Sequence, residues 1–328
     1  MQHIVFNQTG SAPNVLELKE TALPEVKAGQ VRIKVKAASV NPSDALFIQG
    51  AYGIKPKFPS PVGFEGAGEI DMIGTGIGEG IKLFKGMRVA FATLGSWAEY
   101  VVVPASSLMP IPDHLSWEQG AQLFINPFTA LAMLEDVALK EGDWLLLTAG
   151  YSAVNKVVVK IAKALGIKTI CTVRREEQAD ALHVLGAEAV VHTEKDELVE
   201  RVHALTNGQG VQACFESVGG ELSEQALQCM GKGGRMIIYG VLSGKPTPLN
   251  GGLMIFKELI IKGFWLSKWI EEASLTTKAK IAGELYQLAK KKMIPLEYGK
   301  SFPLEKAAEA VVYSEKSGKS GKAIIMCN

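Results

Sequence analysis

Short alternating runs of apolar and polar residues dominate the first third of the chain. Val31 to Ala37 is typical, since apolar residues occupy every second position and basic residues lie between them, which is the pattern of a half-buried strand. Similar short strands are predicted at Ala67–Met72, Met87–Phe91 and Trp97–Val103. Several short strands separated by turn residues favour an antiparallel, barrel-like domain.

From about Trp117 onward, the pattern changes to buried strands that alternate with amphipathic helices. Strands are predicted at Trp144–Ala149, Thr169–Val173, Ala189–His192, Val211–Ser217, Arg235–Tyr239 and Leu259–Gly263. Helices are predicted at Gln119–Asp136, interrupted by Pro127, and at Val154–Leu165, Glu176–Leu185, Glu197–Leu205 and Leu222–Met230. This alternation predicts right-handed crossovers and an α/β fold with a doubly wound parallel sheet, as in Rossmann domains.

The C-terminal segment does not fit into that sheet. A helix is predicted at Leu275–Lys292 and a strand at Ala323–Met326, and neither continues the alternation. The economical interpretation is an insertion. Residues 121–267 form the Rossmann domain, and residues 1–120 and 268–328 together form the β-rich domain.

The turn after the strand that begins at Trp144 has the frame of a dinucleotide-binding turn. Gly150 to Asn155 occupies a G-x-G-x-x-G frame, but only Gly150 is a glycine, and Ser152 and Asn155 hold the other two positions. Ser152 is small and its hydroxyl can reach a phosphate. Asn155 fits less well, because the third glycine normally allows close packing of helix on strand. The motif alone therefore leaves two readings open, a dinucleotide site or an ordinary βαβ unit.

Two arginines end the next predicted strand. Arg174 and Arg175 stand where NAD-binding proteins carry an acidic residue for the ribose hydroxyls. An arginine there can instead pair with the 2′-phosphate of NADP through charge-assisted hydrogen bonds. The alternative is solvated charge at a strand end. The absence of an acidic residue at this position favours NADPH.

Composition limits the functions to be considered. The chain has 328 residues, 47% of them hydrophobic, and its 35 basic and 34 acidic residues leave a net charge of +1. This length favours two domains, and the balanced charge argues against a nucleic-acid partner. We see neither a secretory signal nor a membrane-spanning run. The four dispersed cysteines are typical of buried free thiols, so we expect a cytoplasmic protein.

Four motifs, in order along the whole chain, carry a resemblance to a known family. They are Ser39–Asp44 with Ile48–Gly53, Gly63–Gly68, Asn126–Ala130, and Lys262–Trp269. Together they resemble the medium-chain dehydrogenase/reductase superfamily, and within it the zinc-free quinone oxidoreductases and 2-enoyl thioester reductases. The resemblance implies a GroES-like barrel domain that carries the catalytic residues and a Rossmann domain that binds NADPH. It also implies a homodimer formed through the cofactor domains.

The dinucleotide-turn motif and the family resemblance together give the candidate residues for cofactor binding. These are Thr129, Gly150, Ser152, Ala153, Val154, Arg174, Arg175, Tyr239, Gly240, Phe264 and Trp265. For Tyr239, a structural role as a core tyrosine at a strand end is an alternative. Phe264 and Trp265 could instead pack a domain junction.

No metal is expected in the catalytic centre. Zinc-dependent members of the superfamily carry metal-binding cysteine and histidine where this chain has Asn41 and Phe64. A carboxamide is a poor zinc ligand and a phenyl ring is none. The structural zinc lobe needs four closely spaced cysteines, and 85–110 contains no cysteine.

Hydride transfer without a metal needs a substrate that is already electrophilic, such as a quinone, an enone or an enoyl thioester. The resemblance places the proton-donating tyrosine of the enoyl reductases at Tyr52, and a phenol with a pKa of about 10 stays protonated at neutral pH. Asn41 is the second catalytic candidate, orienting the substrate carbonyl through its amide. Each residue has a structural alternative. Tyr52 could be a tyrosine on a surface loop, and Asn41 could be an asparagine in a turn.

Two functions follow from the sequence. The first is an NADPH-dependent, zinc-free oxidoreductase that transfers hydride to a quinone or to a C=C bond conjugated to a carbonyl of a small molecule. The second is a non-catalytic relative that binds or senses nucleotides weakly. Asn155 is the main argument for the second.

Overall fold

The chain forms two compact units, and one is inserted into the other. The structure is a computed structural model that describes residues 1–78, 82–316, 318 and 321–327. Unit 1 comprises Met1–Ile125 and Leu296–Asn328, and unit 2 comprises Asn126–Pro295. Unit 2 thus interrupts unit 1 along the chain.

Unit 1 is built from short strands and helices. In its N-terminal part these are β1 (Gln2–Phe6), α1 (Ala12–Val15), β2 (Leu16–Glu20), β3 (Gln30–Ser39), α2 (Pro42–Ile48), β4 (Ser60–Pro61), β5 (Glu65–Ile73), β6 (Arg88–Ala92), β7 (Tyr100–Pro104), β8 (Leu108–Pro110) and α3 (Trp117–Gly120). Unit 2 contributes α4 (Ile125–Val137), which begins at the boundary, then β9 (Trp144–Leu147), α5 (Ala153–Ala164), β10 (Lys168–Val173), α6 (Glu177–Leu185), β11 (Ala189–His192), α7 (Leu198–Leu205), β12 (Val211–Glu216), α8 (Gly220–Gln228), β13 (Met230–Ile238), α9 (Gly251–Phe256), β14 (Ile260–Gly263), α10 (Leu266–Glu272) and α11 (Leu275–Lys290). The chain then returns to unit 1 with β15 (Tyr298–Pro303), α12 (Ala307–Glu315) and β16 (Lys322–Met326).

The main sheet of unit 1 has the order β15-β16-β3-β5-β6-β8, and β7 also pairs with β3. Its pairs are antiparallel except for β15 with β16. The alternation read in β3 is observed, because Val31, Ile33 and Val35 are fully buried and the basic residues between them are not. The C-terminal strand β16 lies directly beside β3, so the last residues of the chain complete a sheet begun by the first forty.

The sheet of unit 2 is parallel throughout and has the order β11-β10-β9-β12-β13-β14. Numbered along the chain, this is 3-2-1-4-5-6, the order of dinucleotide-binding Rossmann folds. Strand β9 lies inside this sheet with Leu145, Leu146 and Leu147 fully buried. The strand order reverses between β9 and β12, and ligands of such folds bind at the carboxyl ends of these two strands.

The helix predicted at Gln119–Asp136 is in fact two helices, and Pro127 is not the interruption. The chain leaves helical geometry between α3 and α4, and Pro127 is the third residue of α4. A proline is tolerated in the first helical turn, because the amide hydrogen it lacks has no partner within the helix there.

The C-terminal domain boundary differs from the expectation. The chain returns to unit 1 at Leu296, whereas 268 was expected. Helices α10 and α11 belong to unit 2, where they contact α4. Trp269 stacks edge-on against Phe128, with ring centroids 5.8 Å apart, and Lys280 bonds Glu135 at 2.8 Å. The sequence pattern places these helices in the other domain, because their partner α4 is more than a hundred residues away and local sequence does not show the contact.

All four cysteines are buried free thiols, as expected. Within the described residues, no helix combines the length and the apolar character needed to cross a bilayer.

Candidate active site

The turn between β9 and α5 offers backbone donors for an anion. Ser152 caps the helix, since its Oγ accepts the Asn155 amide at 3.3 Å. The amides of Ala153 and Val154 belong to the first helical turn, where amide hydrogens have no acceptor inside the helix. Such an N-terminus is able to bind a phosphate group, and it lies at the switch point of the sheet.

Gly150 is required for packing. A Cβ atom added there would lie 2.5 Å from the Cβ of Cys171 on β10, which is closer than carbon atoms approach. The one glycine that remains of the motif thus holds the turn against the neighbouring strand.

Asn155 is accommodated by hydrogen bonds. The side chain is fully buried, and its Nδ2 donates to the carbonyl oxygens of Thr148 at 2.7 Å and Ala149 at 3.2 Å. Its Oδ1 accepts the hydroxyl of Tyr239 at 3.1 Å. The amide therefore fills the space of the third glycine with partners, and it ties the turn to the end of β13.

Tyr239 acts as a donor in this network. Burial raises the pKa of Tyr239 to about 12, although contacts with Ser217, Ser152 and Asn155 oppose the shift. The hydroxyl consequently stays protonated at physiological pH. Gly240, which follows, packs against Ser217, because a Cβ there would lie 3.0 Å from the Ser217 carbonyl oxygen.

Two residues of this network were not singled out from the sequence. Glu216 ends β12 and is fully buried, and its Oε1 accepts the amides of Val218 at 2.7 Å and Gly219 at 3.0 Å. The hydroxyl of Thr148 lies 3.3 Å from the same oxygen. Both residues follow apolar strand runs at the ligand-binding edge of the sheet. Their position after these runs is the sequence feature that could have identified them as site residues.

The two arginines lie just beyond β10. Arg174 is exposed, and Arg175 is half-buried with its guanidinium 3.7 Å from Glu177 Oε1. Together with the Ser152 turn they form a donor set suited to a phosphorylated dinucleotide. The residues present therefore fit NADPH.

Thr129, Phe264 and Trp265 have different settings within unit 2. Thr129 is buried in α4. Phe264 follows β14 and its amide donates to the Ile238 carbonyl at 2.8 Å, which brings it to the same sheet edge as Tyr239. Trp265, next to it, is 38% exposed. Contact of these three side chains with a cofactor stays a prediction.

In unit 1, Asn41 belongs to a buried polar cluster. Its Nδ2 donates to Ser39 Oγ at 3.0 Å and to Glu65 Oε1 at 2.9 Å, and its Oδ1 accepts Lys322 Nζ. Both amide hydrogens are thus engaged inside the protein. Donation from Asn41 to a substrate carbonyl stays a prediction, and it requires one of these bonds to open.

Lys322 is not among the residues that the sequence predicts for the site. It stands one residue before the predicted strand Ala323–Met326, where a lysine normally indicates a solvated strand end. The structure buries it to 7% exposure beside Asn41, at a distance of 281 residues along the chain. No local pattern could have indicated that contact.

Asp44 holds the start of α2. It is fully buried, and its Oδ2 accepts the Asn41 backbone amide at 2.7 Å. Burial raises the pKa of Asp44 to about 7, against the opposing effects of that hydrogen bond and of the Lys322 charge. This hydrogen bond fixes the loop that leads into α2.

Tyr52 follows α2 and packs against Phe64. The two ring centroids are 5.4 Å apart, and Phe64 lies equally close to Phe47 of α2. Phe64 occupies the position at which zinc-dependent relatives carry a ligand, and here it forms an aromatic wall for Tyr52.

The donor chemistry around Asn41 does not suit a metal. Phe64 has no ligating atom, and the Asn41 oxygen already accepts an ammonium hydrogen. Among the described residues, no group of three histidine, cysteine or acidic side chains has metal-binding geometry. The residues present do not form a zinc site of the kind found in metal-dependent relatives.

Comparisons with known proteins agree with this description. Residues 27–113 match the family model "Alcohol dehydrogenase GroES-like domain", and residues 153–279 match "Zinc-binding dehydrogenase". The human mitochondrial enoyl-[acyl-carrier-protein] reductase is 32% identical over 327 residues, covering 98% of this chain and 87% of the relative. The corresponding Arabidopsis thaliana protein is 34% identical over 273 residues, covering 81% and 72%.

Solved structures show the same fold. Escherichia coli quinone oxidoreductase, solved with NADPH, has a TM-score of 0.89 and 27% identity, covering 99% of this chain and all of that one. A quinone oxidoreductase from Pseudomonas syringae pv. Tomato has the same TM-score and 26% identity, covering 99% of each chain. The chain therefore belongs to the medium-chain dehydrogenase/reductase superfamily, and it is an oxidoreductase.

Proposed function

We propose that this protein is an NADPH-dependent reductase of 2-enoyl thioesters. The observation that carries the proposal is the setting of Tyr52, whose ring is held against Phe64 just beyond α2. A phenol placed this way can supply the proton that reduction of a conjugated double bond requires. The enoyl-[acyl-carrier-protein] reductases among the relatives, similar over nearly the whole chain, support this substrate class.

The chemistry divides between the two units. When bound, NADPH supplies a hydride for the β-carbon of the enoyl group. The negative charge that develops on the thioester oxygen needs hydrogen-bond donors. Tyr52 supplies the proton that completes reduction at the α-carbon, and its phenolate regains a proton from solvent. No Lewis acid is needed, because the thioester carbonyl already activates the double bond.

The cofactor proposal rests on unit 2. Backbone amides at the start of α5 would hold the pyrophosphate, and Arg174 and Arg175 the 2′-phosphate. The E. coli neighbour was solved with NADPH. We expect Arg174→Ala to weaken NADPH binding at least tenfold and NADH binding by less than twofold, measured by fluorescence titration. Equal losses for both cofactors would refute the 2′-phosphate assignment.

Quinone reduction is the second candidate. It is favoured by the solved structures, since both neighbours described above are quinone oxidoreductases. A quinone needs no carbon-bound proton, so its reduction depends less on Tyr52. This difference separates the two candidates.

The deciding experiment follows NADPH oxidation with crotonyl-CoA, a naphthoquinone and a simple enone. For an enoyl reductase we expect crotonyl-CoA to have the highest kcat/KM, and Tyr52→Phe to lower it at least tenfold while NADPH binding stays within twofold. Tyr286→Phe, on α11 of unit 2, serves as the matched control. Turnover of the quinone alone, unaffected by Tyr52→Phe, would replace the first candidate by the second.

The non-catalytic alternative loses its main argument. Asn155 was its best evidence, yet the side chain is satisfied by Thr148, Ala149 and Tyr239. The side chain of Asn155 does not occupy the backbone amides at the start of α5. Failure of both NADPH and NADH to bind below millimolar concentration would restore that alternative.

We also propose a homodimer formed through unit 2. Within the part of the chain that the structure describes, strand β14 ends the sheet and pairs with β13 alone, so one of its edges is open to a further strand. Exposed apolar side chains lie on this strand and on α9, the helix that precedes it in the chain, with Ile260 51%, Ile255 71% and Phe256 84% exposed. A second copy of the chain would cover these side chains and extend the sheet.

Location in the cytoplasm remains a prediction, to be tested by cell fractionation.

A further inference from the structure

One ammonium group is enclosed by oxygen atoms in the core of unit 1. Lys322 Nζ donates to Asn41 Oδ1 and lies 3.3 Å from Glu65 Oε1 and 3.4 Å from Ser39 Oγ. An ammonium has three hydrogens to donate, and three acceptors surround it here. These acceptors come from β3, from the start of α2 and from β5, while the lysine comes from β16.

Glu65 makes the cluster electrically closed. Its side chain is fully buried. Oε1 accepts from Ser39, Asn41 and Lys322, and Oε2 accepts the Ile125 amide at 2.8 Å. A buried carboxylate requires a counter-ion, and Lys322 provides it. The pair carries no net charge, and its contacts connect it to the site through the positions of the segments that it binds.

The cluster fixes the two segments that flank Tyr52. Asn41 is the N-cap of α2, and α2 leads directly to Tyr52. Glu65 directly follows Phe64, whose ring lies against Tyr52 at 5.4 Å. The Lys322 ammonium therefore holds Asn41, at the beginning of α2, and Glu65, the residue that follows Phe64.

We propose that Lys322 is a positioning residue for Tyr52, acting as an internal cation that binds Asn41 and Glu65 where metal-dependent relatives hold a metal ion. The inference rests on the proposed role of Tyr52 as proton donor. It predicts that loss of the ammonium slows proton delivery without weakening cofactor binding, because the cofactor-binding residues lie in the other unit.

The first test compares Lys322→Met, which keeps most of the side-chain length but removes the charge, with Lys316→Ala, which removes an exposed lysine near the same strand. We expect Lys322→Met to lower kcat for crotonyl-CoA at least tenfold per NADPH-binding site, with the KM for NADPH changed less than twofold. Lys322→Arg should recover part of the loss, and Lys316→Ala should match the wild type. An unchanged kcat in Lys322→Met would overturn the proposal.

Chemical rescue tests the ammonium itself. Lys322→Ala leaves space for the missing three carbons and nitrogen, so propylammonium should raise its kcat in a saturable way. Propanol of equal length should not. Equal effects of the two additives would show that the site needs volume and not a cation, and would contradict the proposal. If Lys322→Met does not fold, Lys322→Met/Glu65→Gln, which leaves no charge unpaired, replaces it with the same expected loss of kcat.

Hydrogen exchange separates this proposal from the proposed function. In Lys322→Met, amides of residues 43–53 should exchange at least tenfold faster than in the wild type, whereas those of α5 should not change. If the wild-type chain reduces no enoyl thioester, the proposed function fails and the exchange rates still show whether Lys322 orders the segment of Tyr52. Unchanged exchange at 43–53 would overturn the positioning role even in an active enzyme.

Discussion

Asn155 shows how a substituted motif position can keep its structural purpose. A glycine there would allow close packing through absence of a side chain, whereas Asn155 fills the space and bonds Thr148, Ala149 and Tyr239. The sequence indicates that the side chain at this position is crowded, but it does not indicate which groups the side chain bonds. Tyr239 lies 84 residues away along the chain, and only the fold brings its hydroxyl to the amide.

Asn155→Ala should therefore destabilise unit 2. It removes a hydrogen-bond partner from the Tyr239 hydroxyl and from the carbonyl groups of Thr148 and Ala149, which costs about 1–3 kcal/mol in the free energy of unfolding. Tyr239→Phe removes only one side of the same bond and should cost about 1 kcal/mol. Because the two residues share an interaction, the double variant should lose less than the sum. Urea unfolding checks this, and strictly additive losses would contradict the coupling.

Asp44 predicts a pH dependence of stability. Its pKa is raised by burial from 3.8 to about 7, so the unfolded state releases this proton at a lower pH than the folded state does. Stability attributable to Asp44 is full below about pH 4, falls as the pH rises toward 7, and is level above. In Asp44→Asn this loss should be absent, and its amide oxygen can still accept from Asn41.

The measurement is the midpoint of thermal unfolding of both proteins from pH 4 to 8. Relative to Asp44→Asn, the wild type should lose stability through this range, with Glu65 and Lys322 as the neighbouring charges that both proteins share. Parallel curves would show that Asp44 does not change its protonation on folding.

At the scale of elements, the long periodic segments were predictable and the short ones were not. The strands and helices from β9 to β13 were identified from buried runs and helical spacing, because each of them packs on its own sheet. Helices α2, α9 and α10 were missed, since six or seven residues carry too little periodicity. For α2 the Asn41-Pro42 pair was a start signal, because proline at the first helical position is preorganised for a helix.

Gly150 is the position where element packing is tightest. Gly150→Ala would place a Cβ 2.5 Å from the Cβ of Cys171, so β10 or the turn must shift. We expect a loss of about 1–3 kcal/mol and weaker NADPH binding, since the α5 amides move with the turn. Gly251→Ala is the control, because nothing lies within 4 Å of its added Cβ. Thermal unfolding that affects both variants equally would refute the packing argument.

At the scale of the whole molecule, the insertion was predictable and its end was not. Alternating strands and helices marked the Rossmann sheet, and the leftover C-terminal strand indicated a return to the first domain. The assignment of α10 and α11 depends on contacts with α4, such as Trp269 with Phe128. These contacts between distant segments have no counterpart in local sequence.

The open edge of β14 predicts the oligomeric state. Phe256→Glu and Ile260→Lys place charges on the exposed apolar side chains beside that edge, so each should turn a dimer into a monomer. Val184→Glu is the control, because this residue is also exposed, at 85%, but lies on α6. Light scattering after size-exclusion chromatography measures the mass. A wild-type monomer, or dimers unaffected by both substitutions, would contradict the proposed interface.

The place of Lys322 on β16 has a consequence for biosynthesis. A ribosome completes unit 2 as one continuous stretch before it makes the strand that carries this lysine. Until then, the Glu65 carboxylate lacks Lys322, the counter-ion that it has in its burial site. The nascent chain must therefore keep that part of the β-rich unit open to water while the inserted unit folds. The acid that helps hold Tyr52 in place is enclosed only once the final strand is docked.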